Sequence, residues 1–255
     1  MSPGDGGYIM KKFLGGVALS LCLAAPAMAA DMPVKARPAP AVVAVYNWTG
    51  FYIGVNGGWA RSDLDFLTAA GAELASHKGK GAVIGGQIGY NFQVGGNFVL
   101  GVEVDADYAS ITGQRSCPNA AFNCRHNISA LVSARGRAGF LVTQQALVYA
   151  TGGGAWARAR YDAVSVATGL ANPGGFVTRG NHSGWVAGGG LEYKFANSWS
   201  VRAEYLYYAF DGKALDCTPL PAGVASSCNF EPTVHAVRVG FNWHFNVPGA
   251  VVARY

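Results

Sequence analysis

Trp48-Thr-Gly-Phe-Tyr-Ile-Gly-Val-Asn-Gly-Gly-Trp59 is the stretch on which the fold turns. At a period of two, Phe51, Ile53, Val55, Gly57 and Trp59 share one face, and Tyr52, Gly54, Asn56 and Gly58 share the other. An apolar face backed by a small, polar one is the pattern of a strand with two different solvents. Trp48 and Trp59, with Phe51 and Tyr52, stand at its two ends, and such rings settle where hydrocarbon meets water. The stretch predicts the first strand of a transmembrane β-barrel, with Trp48, Phe51 and Trp59 in its aromatic girdles.

Seven further runs repeat the alternation. Residues 82–92 place Ala82, Ile84, Gly86, Ile88, Tyr90 and Phe92 outward, and residues 98–108 set Phe98, Leu100, Val102 and Val104 against Glu103, Asp105 and Asp107. Residues 128–142 set Ile128, Ala130, Val132 and Ala134 against Ser129, Ser133, Arg135 and Arg137. Residues 147–161 carry the weakest register, because Thr151-Gly-Gly-Gly154 distinguishes no face. Residues 185–195 turn Trp185, Leu191 and Tyr193 outward, with Glu192 and Lys194 inward. In residues 200–210, Val201 and Tyr205 oppose Arg202 and Glu204, and in residues 233–245, Val239, Phe241, Trp243 and Phe245 oppose Arg238.

The total is eight, an even number as single-chain outer-membrane barrels have. Connections are tight after the second, fourth and sixth runs. They are long after the first, third, fifth and seventh, at residues 61–80, 111–127, 162–181 and 211–231. The predicted fold is an all-β, eight-stranded antiparallel up-and-down transmembrane barrel, with long extracellular loops, short periplasmic turns and both termini periplasmic. A soluble barrel would put its apolar face inside, and the charged, glycine-rich face here argues against that.

Composition agrees: 51% of residues are hydrophobic, only 13% are charged, and 36 are Gly. The net charge of +5 is scattered, with no basic stripe of the nucleic-acid-binding kind. Lys11 and Lys12, an apolar run over residues 13–25 and the small-residue site Ala27-Met28-Ala29 read as a cleaved signal peptide. The apolar run is too short for a spanning helix of roughly 20 residues. The expected organisation is residues 1–29 as extension and signal, 30–46 as a periplasmic leader with Pro33, Pro38 and Pro40, 47–245 as barrel, and 246–255 as a C-terminal extension.

Inside the barrel, Glu103, Asp105 and Asp107 should neighbour Arg135 and Arg137, with Arg202, Glu204 and Arg238 adding to the cluster. An interior of eight strands is just wide enough for side chains to fill. A lumen plugged by ion pairs is therefore favoured over a narrow ion path. Cys22 leaves with the signal peptide; Cys117, Cys124, Cys217 and Cys228 fall in two loops, and spacing favours one disulfide within each, although three connectivities are open. No metal spacing accompanies them. His126 and Ser129 lie three positions apart in a strand, on opposite faces, which argues against a nucleophile–base pair. Gly85-Gly86-Gln-Ile-Gly89 lacks the following helix of a nucleotide loop. No catalytic, metal or cofactor site is expected.

The segment Asn47-Trp-Thr-Gly-Phe-Tyr-Ile-Gly-Val-Asn-Gly-Gly-Trp59, after an exported Ala-Asp-Met-Pro start, resembles the alphaproteobacterial outer-membrane immunogenic proteins, small porin-like surface antigens. The resemblance implies a Gram-negative outer-membrane location among lipid and lipopolysaccharide, and a role in envelope integrity and surface antigenicity. A narrow porin and a loop-mediated ligand- or host-binding protein are the alternatives. Val239, Phe241, Trp243 and Phe245 resemble the terminal-strand signal read by the barrel-assembly machinery, which implies periplasmic chaperones as well. Ala30-Asp31 is similar to amino termini joined to peptidoglycan in some relatives. The chain departs from the family by running past Phe245 to Tyr255. Deleting residues 246–255 is expected to leave the heat-modifiable folded band on a gel unchanged; its disappearance would assign the assembly signal to Tyr255.

Overall fold

The structure, a computed structural model, describes residues 46–67, 73–116, 122–169, 177–216 and 227–246. Every element among them is a strand: β1 (Gly50–Leu67), β2 (Glu73–Val94), β3 (Phe98–Ser116), β4 (Phe122–Leu141), β5 (Ala146–Ser165), β6 (Val177–Ala196), β7 (Trp199–Phe210), β8 (Lys213–Asp216) and β9 (Ser227–Asn246). From β1 to β7 each pairs antiparallel with the next, β7 pairs with β9, and β9 returns to β1. The short β8 lies on β9 where β7 leaves off, beyond Asp211 and Gly212, so β7 and β8 make one stave. The result is a closed eight-stranded barrel. Closure leaves no sheet edge, and so no unpaired backbone row facing lipid.

The strands are longer than the apolar alternation suggested. β1 and β2 stay paired from Gly50↔Asn91 to Leu67↔Glu73, and β4 and β5 from Leu141↔Leu147 to Phe122↔Ser165. Much of residues 61–80, 111–127, 162–181 and 211–231 is thus strand, which corrects their reading as loops. The reason is physical. Apolar alternation records only the height at which the outer face meets hydrocarbon, whereas a hydrogen-bond ladder continues wherever its partner strand does.

One facing assignment also changes. Ile128 was expected outward but is buried inside. Ser129 is an extra residue against β5, since Ile128 pairs Ala159 and Ala130 pairs Arg158. Such a bulge reverses the alternation. Leu131, Ser133, Arg135 and Arg137 face inward on one side of it, His126 and Ile128 on the other. In β5 the register is settled by odd-numbered Leu147, Tyr149, Ala155, Ala157 and Tyr161 lying inside, with Trp156 outside.

Two tight turns show their chemistry. Gly95 (φ 59°) and Gly96 (φ 87°) close the β2–β3 turn in a conformation that suits glycine. Between β4 and β5, Thr143 Oγ1 accepts the Ala146 N–H at 3.0 Å.

Inside, large side chains lie over glycines on the neighbouring strand. Tyr52 pairs with Gly89, and a Cβ there would collide with the Tyr52 ring. Arg202 pairs with Gly240, whose added Cβ would sit 2.8 Å from Arg202 Nε. Gly89→Val is expected to destabilise the refolded barrel by about 1–3 kcal/mol, as overpacking does, and Tyr52→Ser in the same chain should recover part of it. Urea titration in lipid vesicles, followed by tryptophan fluorescence, reads both; identical midpoints for Gly89→Val and wild type would refute the contact.

Candidate functional site: the stratified lumen

Five carboxylates (Glu103, Asp105, Asp107, Glu192, Glu204) and five cations (Arg135, Arg137, Lys194, Arg202, Arg238) are buried in the lumen. Alternation on β3, β4, β6, β7 and β9 aims them at a common axis. Arg135 reaches Glu103 at 2.5 Å and both Asp105 and Glu204 at 3.1 Å. Arg238 holds Asp105 at 2.8 Å, Glu204 at 2.7 Å and Asp107. Arg202 pairs with Glu103, and Arg137 with Glu192 at 2.6 Å. An ion moved into a poor dielectric costs several kcal/mol unless others solvate it. Here Arg135, Arg137 and Arg238 each bridge carboxylates from more than one strand, Arg202 joins Glu103 from across the lumen, and the formal charges cancel.

Neutral groups complete the layer. Tyr52 donates to Glu103 at 2.6 Å and accepts from Arg137 at 3.0 Å. Tyr149 donates to Glu204 at 3.1 Å, and the Arg137 guanidinium lies 4.3 Å from the Tyr149 ring centre. Ser200 and Asn242 donate to Glu192 at 2.6 and 2.8 Å. His244 Nε2 stands 2.8 Å from Ser200 Oγ. A chain of amides, Asn56 to Gln87 to Asn242, runs beside it.

Apolar layers lie on both sides of the charges. At the end with the tight turns, Trp48, Val99, Leu141, Leu147 and Tyr149 form one cluster. Trp48 was expected in the outer girdle; it is only 1% exposed and lies inside. Gly50, with φ 141°, lets the chain double inward ahead of β1. Trp48 Nε1 then donates to the Gln144 carbonyl at 3.0 Å, while Lys194 Nζ sits 4.7 Å from its ring and donates to the Asn47 carbonyl at 2.7 Å. Tyr52, also placed at the interface by its ring, is fully buried with the carboxylates.

On the other side, Val83, Ile111, Ile128, Leu131, Val186, Leu206, Tyr208 and Phe210 belong to a second cluster, filled out by alanines. Beyond it come two buried histidine contacts, Ser62 with His126 at 2.9 Å and Tyr161 with His182 at 2.9 Å. This inner apolar layer was missed because its residues look like a lipid face in isolation. The Ile111 position, eight residues along β3 from Glu103 and so on the same face, is the signal that could have found it.

Ser129 Oγ donates weakly to the Arg158 carbonyl at 3.4 Å, away from the inward His126. Cys124 lies in β4 rather than in a loop, and is disulfide-bonded. The backbone of Cys228 lies in β9, opposite Leu215, while Cys117 and Cys217 fall outside the described residues. Phe51, Trp59, Trp185, Trp243 and Phe245 are exposed on the outer wall, as are Val239 and Phe241, and Tyr90 packs on Phe51 at 4.7 Å.

A family model described as outer membrane protein beta-barrel domain matches residues 15–245. The chain belongs to that family. It is 31% identical over 242 residues to the 31 kDa outer-membrane immunogenic protein of Brucella melitensis, and equally to that of Brucella suis, covering 89% of this chain and 97% of each relative. Among solved structures, it is similar to OprG of Pseudomonas aeruginosa (14% identity, TM-score 0.48, covering 78% of this chain and 98% of that one). It is also similar to Neisserial surface protein A (16% identity, TM-score 0.41, 77% and 98%). This outer-membrane barrel therefore sits in the outer membrane of a Gram-negative bacterium, its apolar outer face against lipid.

Arg238→Ala would leave Asp107 without a cation and Asp105 and Glu204 to Arg135 alone. It is expected to cost about 3–5 kcal/mol, as breaking a buried pair does, and Asp107→Asn added to it should return part of the loss. Unfolding midpoints of the refolded variants test this, and an Arg238→Ala midpoint equal to wild type would remove the network from the account of stability.

Proposed function

We propose that this outer-membrane barrel is a closed structural and surface-display element of the envelope, neither a channel nor an enzyme. The observation that carries the reading is the stratified lumen: an electroneutral, ion-paired layer between two apolar ones. A permeating ion would have to break charge-assisted bonds and also cross a layer lined by Val83, Ile111, Ile128 and Leu206. Neither step is compensated in so narrow an interior.

The tight turns and the inward-folded Trp48 end face the periplasm in this reading, with both termini there. The long strand extensions carry the surface-exposed, antigenic face, in keeping with the name of the Brucella relatives. Residues 246–255 follow the assembly signal.

Planar-bilayer recording of the folded, purified barrel is expected to show no steady conductance. Trp48→Ala should stay silent too, because the charged layer and the second apolar layer still close the lumen. Steady channels from wild type, altered by a Glu103→Ala and Arg135→Ala double substitution, would overturn the closed barrel and establish the porin.

A further inference from the structure

We propose that residues 46–49 form a hinged strap across the tight-turn mouth of the barrel. Docked, the strap seals the lower lumen from water. Released, it opens that lumen as far as the charged layer while the wall of strands stays closed. The inference goes beyond the closed lumen and does not depend on it.

The first observation is the hinge. Gly50 pairs with Asn91 on one side and Asn246 on the other, so the chain is fixed in the wall from that residue on. Residues 46–49 precede the ladder and belong to no strand. The Gly50 φ of 141° turns them inward, and a Cβ there would stand 2.8 Å from the Phe245 carbonyl oxygen. Glycine suits that turn as other residues do not.

The second is a ring of latches. The Trp48 N–H donates to Gln93 Oε1 at 3.0 Å, and Thr49 Oγ1 accepts the Gln93 N–H at 3.0 Å, which ties the strap to β2. Trp48 Nε1 donates to the Gln144 carbonyl at 3.0 Å, and Gln145 Nε2 donates to the Tyr46 hydroxyl at 2.7 Å, at the β4–β5 turn. Lys194 on β6 donates to the Asn47 carbonyl at 2.7 Å. Asn47 Oδ1 accepts the Thr49 N–H at 2.9 Å and keeps the segment one unit. These anchors lie 45, 96 and 147 residues along the chain, so the strap seats only after the staves have assembled. Asn47-Trp-Thr-Gly50 thereby gains a role that the strand alternation alone did not give it.

The third is an opposition of forces. Trp48 is buried and meets His244 edge-on at 5.9 Å, and burial of its indole favours docking. Lys194 is fully buried behind it, with the ammonium 4.7 Å from the Trp48 ring centre. An ammonium is strongly hydrated, so taking it out of water opposes docking. Asn91, also fully buried, has neither amide atom hydrogen-bonded among the described residues, and nor has Arg137 Nε. Water that reaches these groups favours release. One side of the balance pulls the strap in and the other draws it out.

The test uses the full, refolded chain in neutral detergent micelles, acetylated with a replenished, water-soluble succinimidyl ester and read lysine by lysine by peptide mass spectrometry. Exposed Lys80 is the internal reference. Wild-type Lys194 should label far more slowly than Lys80, yet reach completion in one phase while the gel band stays folded. Trp48→Ala removes the ring, and Gly50→Ala strains the hinge without touching a lumen contact. Each should raise the Lys194 rate by about tenfold or more, as a shift in local opening does, with Lys80 unchanged. Wild-type Lys194 labelling as fast as Lys80 would overturn the seal, and Lys194 that stays unlabelled would make the segment a fixed plug and overturn the hinge. Unchanged Lys194 rates in both variants, or a rise accompanied by loss of the folded band, would also overturn the proposal. The assay reads the mouth alone. Channels in a bilayer would overturn the closed lumen and leave the strap standing, and failure here would leave the closed lumen standing.

Discussion

Electroneutrality inside a space too narrow for hydration is the constraint on which the rest of this structure depends. Eight strands enclose a volume that side chains must fill, and membrane insertion demands a closed ladder. Charges placed there have one another and a few fixed dipoles, such as the Tyr52 and Tyr149 hydroxyls and the Asn47 carbonyl, for solvent. Arg135 and Arg238 answer that by bridging strands far apart in sequence, Glu103 and Asp105 on β3 with Glu204 on β7. Each arginine thereby acts as a strut across the barrel, and the strut favours one register, because a slip of one residue would turn the charge outward into lipid.

The glycines follow from the same constraint. An arginine or tyrosine crossing a narrow lumen needs the wall beside it to be bare. Tyr52 beside Gly89 and Arg202 beside Gly240 meet that need. A high glycine content here reflects the size of the groups that must fit between the walls, and a sheet with fewer glycines would need a wider barrel or smaller lumen residues.

Much of this was legible in the chain, and the limits have physical causes. The eight staves, the outward rows and the pairing of Glu103 with Arg135 follow from period-two alternation, because lipid and lumen impose opposite demands on successive residues. Trp48 was misplaced because a ring that likes interfaces also fills a barrel mouth, and only the backbone turn at Gly50 chooses between them. Ile128 was misplaced because a single bulged residue, Ser129, reverses the alternation without any mark in hydrophobicity. Strand ends were read too early for a related reason: polar residues beyond the hydrocarbon look like loop whether or not they pair. Tyr52 and Tyr149, which tie the charges to the walls, were hidden by chemistry that serves interface and interior alike.

The balance inside also shapes the outside. Because the buried acids and bases of the lumen cancel, the chain's formal excess of +5 is carried elsewhere. The described outer wall carries Arg61, Lys80, Arg160 and Arg179 in one continuous row, while its lower part is apolar. A charge on that wall below the row would face hydrocarbon and cost about 2–4 kcal/mol near the midplane, falling toward zero at the interface. Cations are therefore tolerated only where headgroups begin. The same strand that must be neutral inside and apolar outside becomes free to carry charge within two residues of Trp59, and the ladder that persists past that point gives those charges a rigid frame.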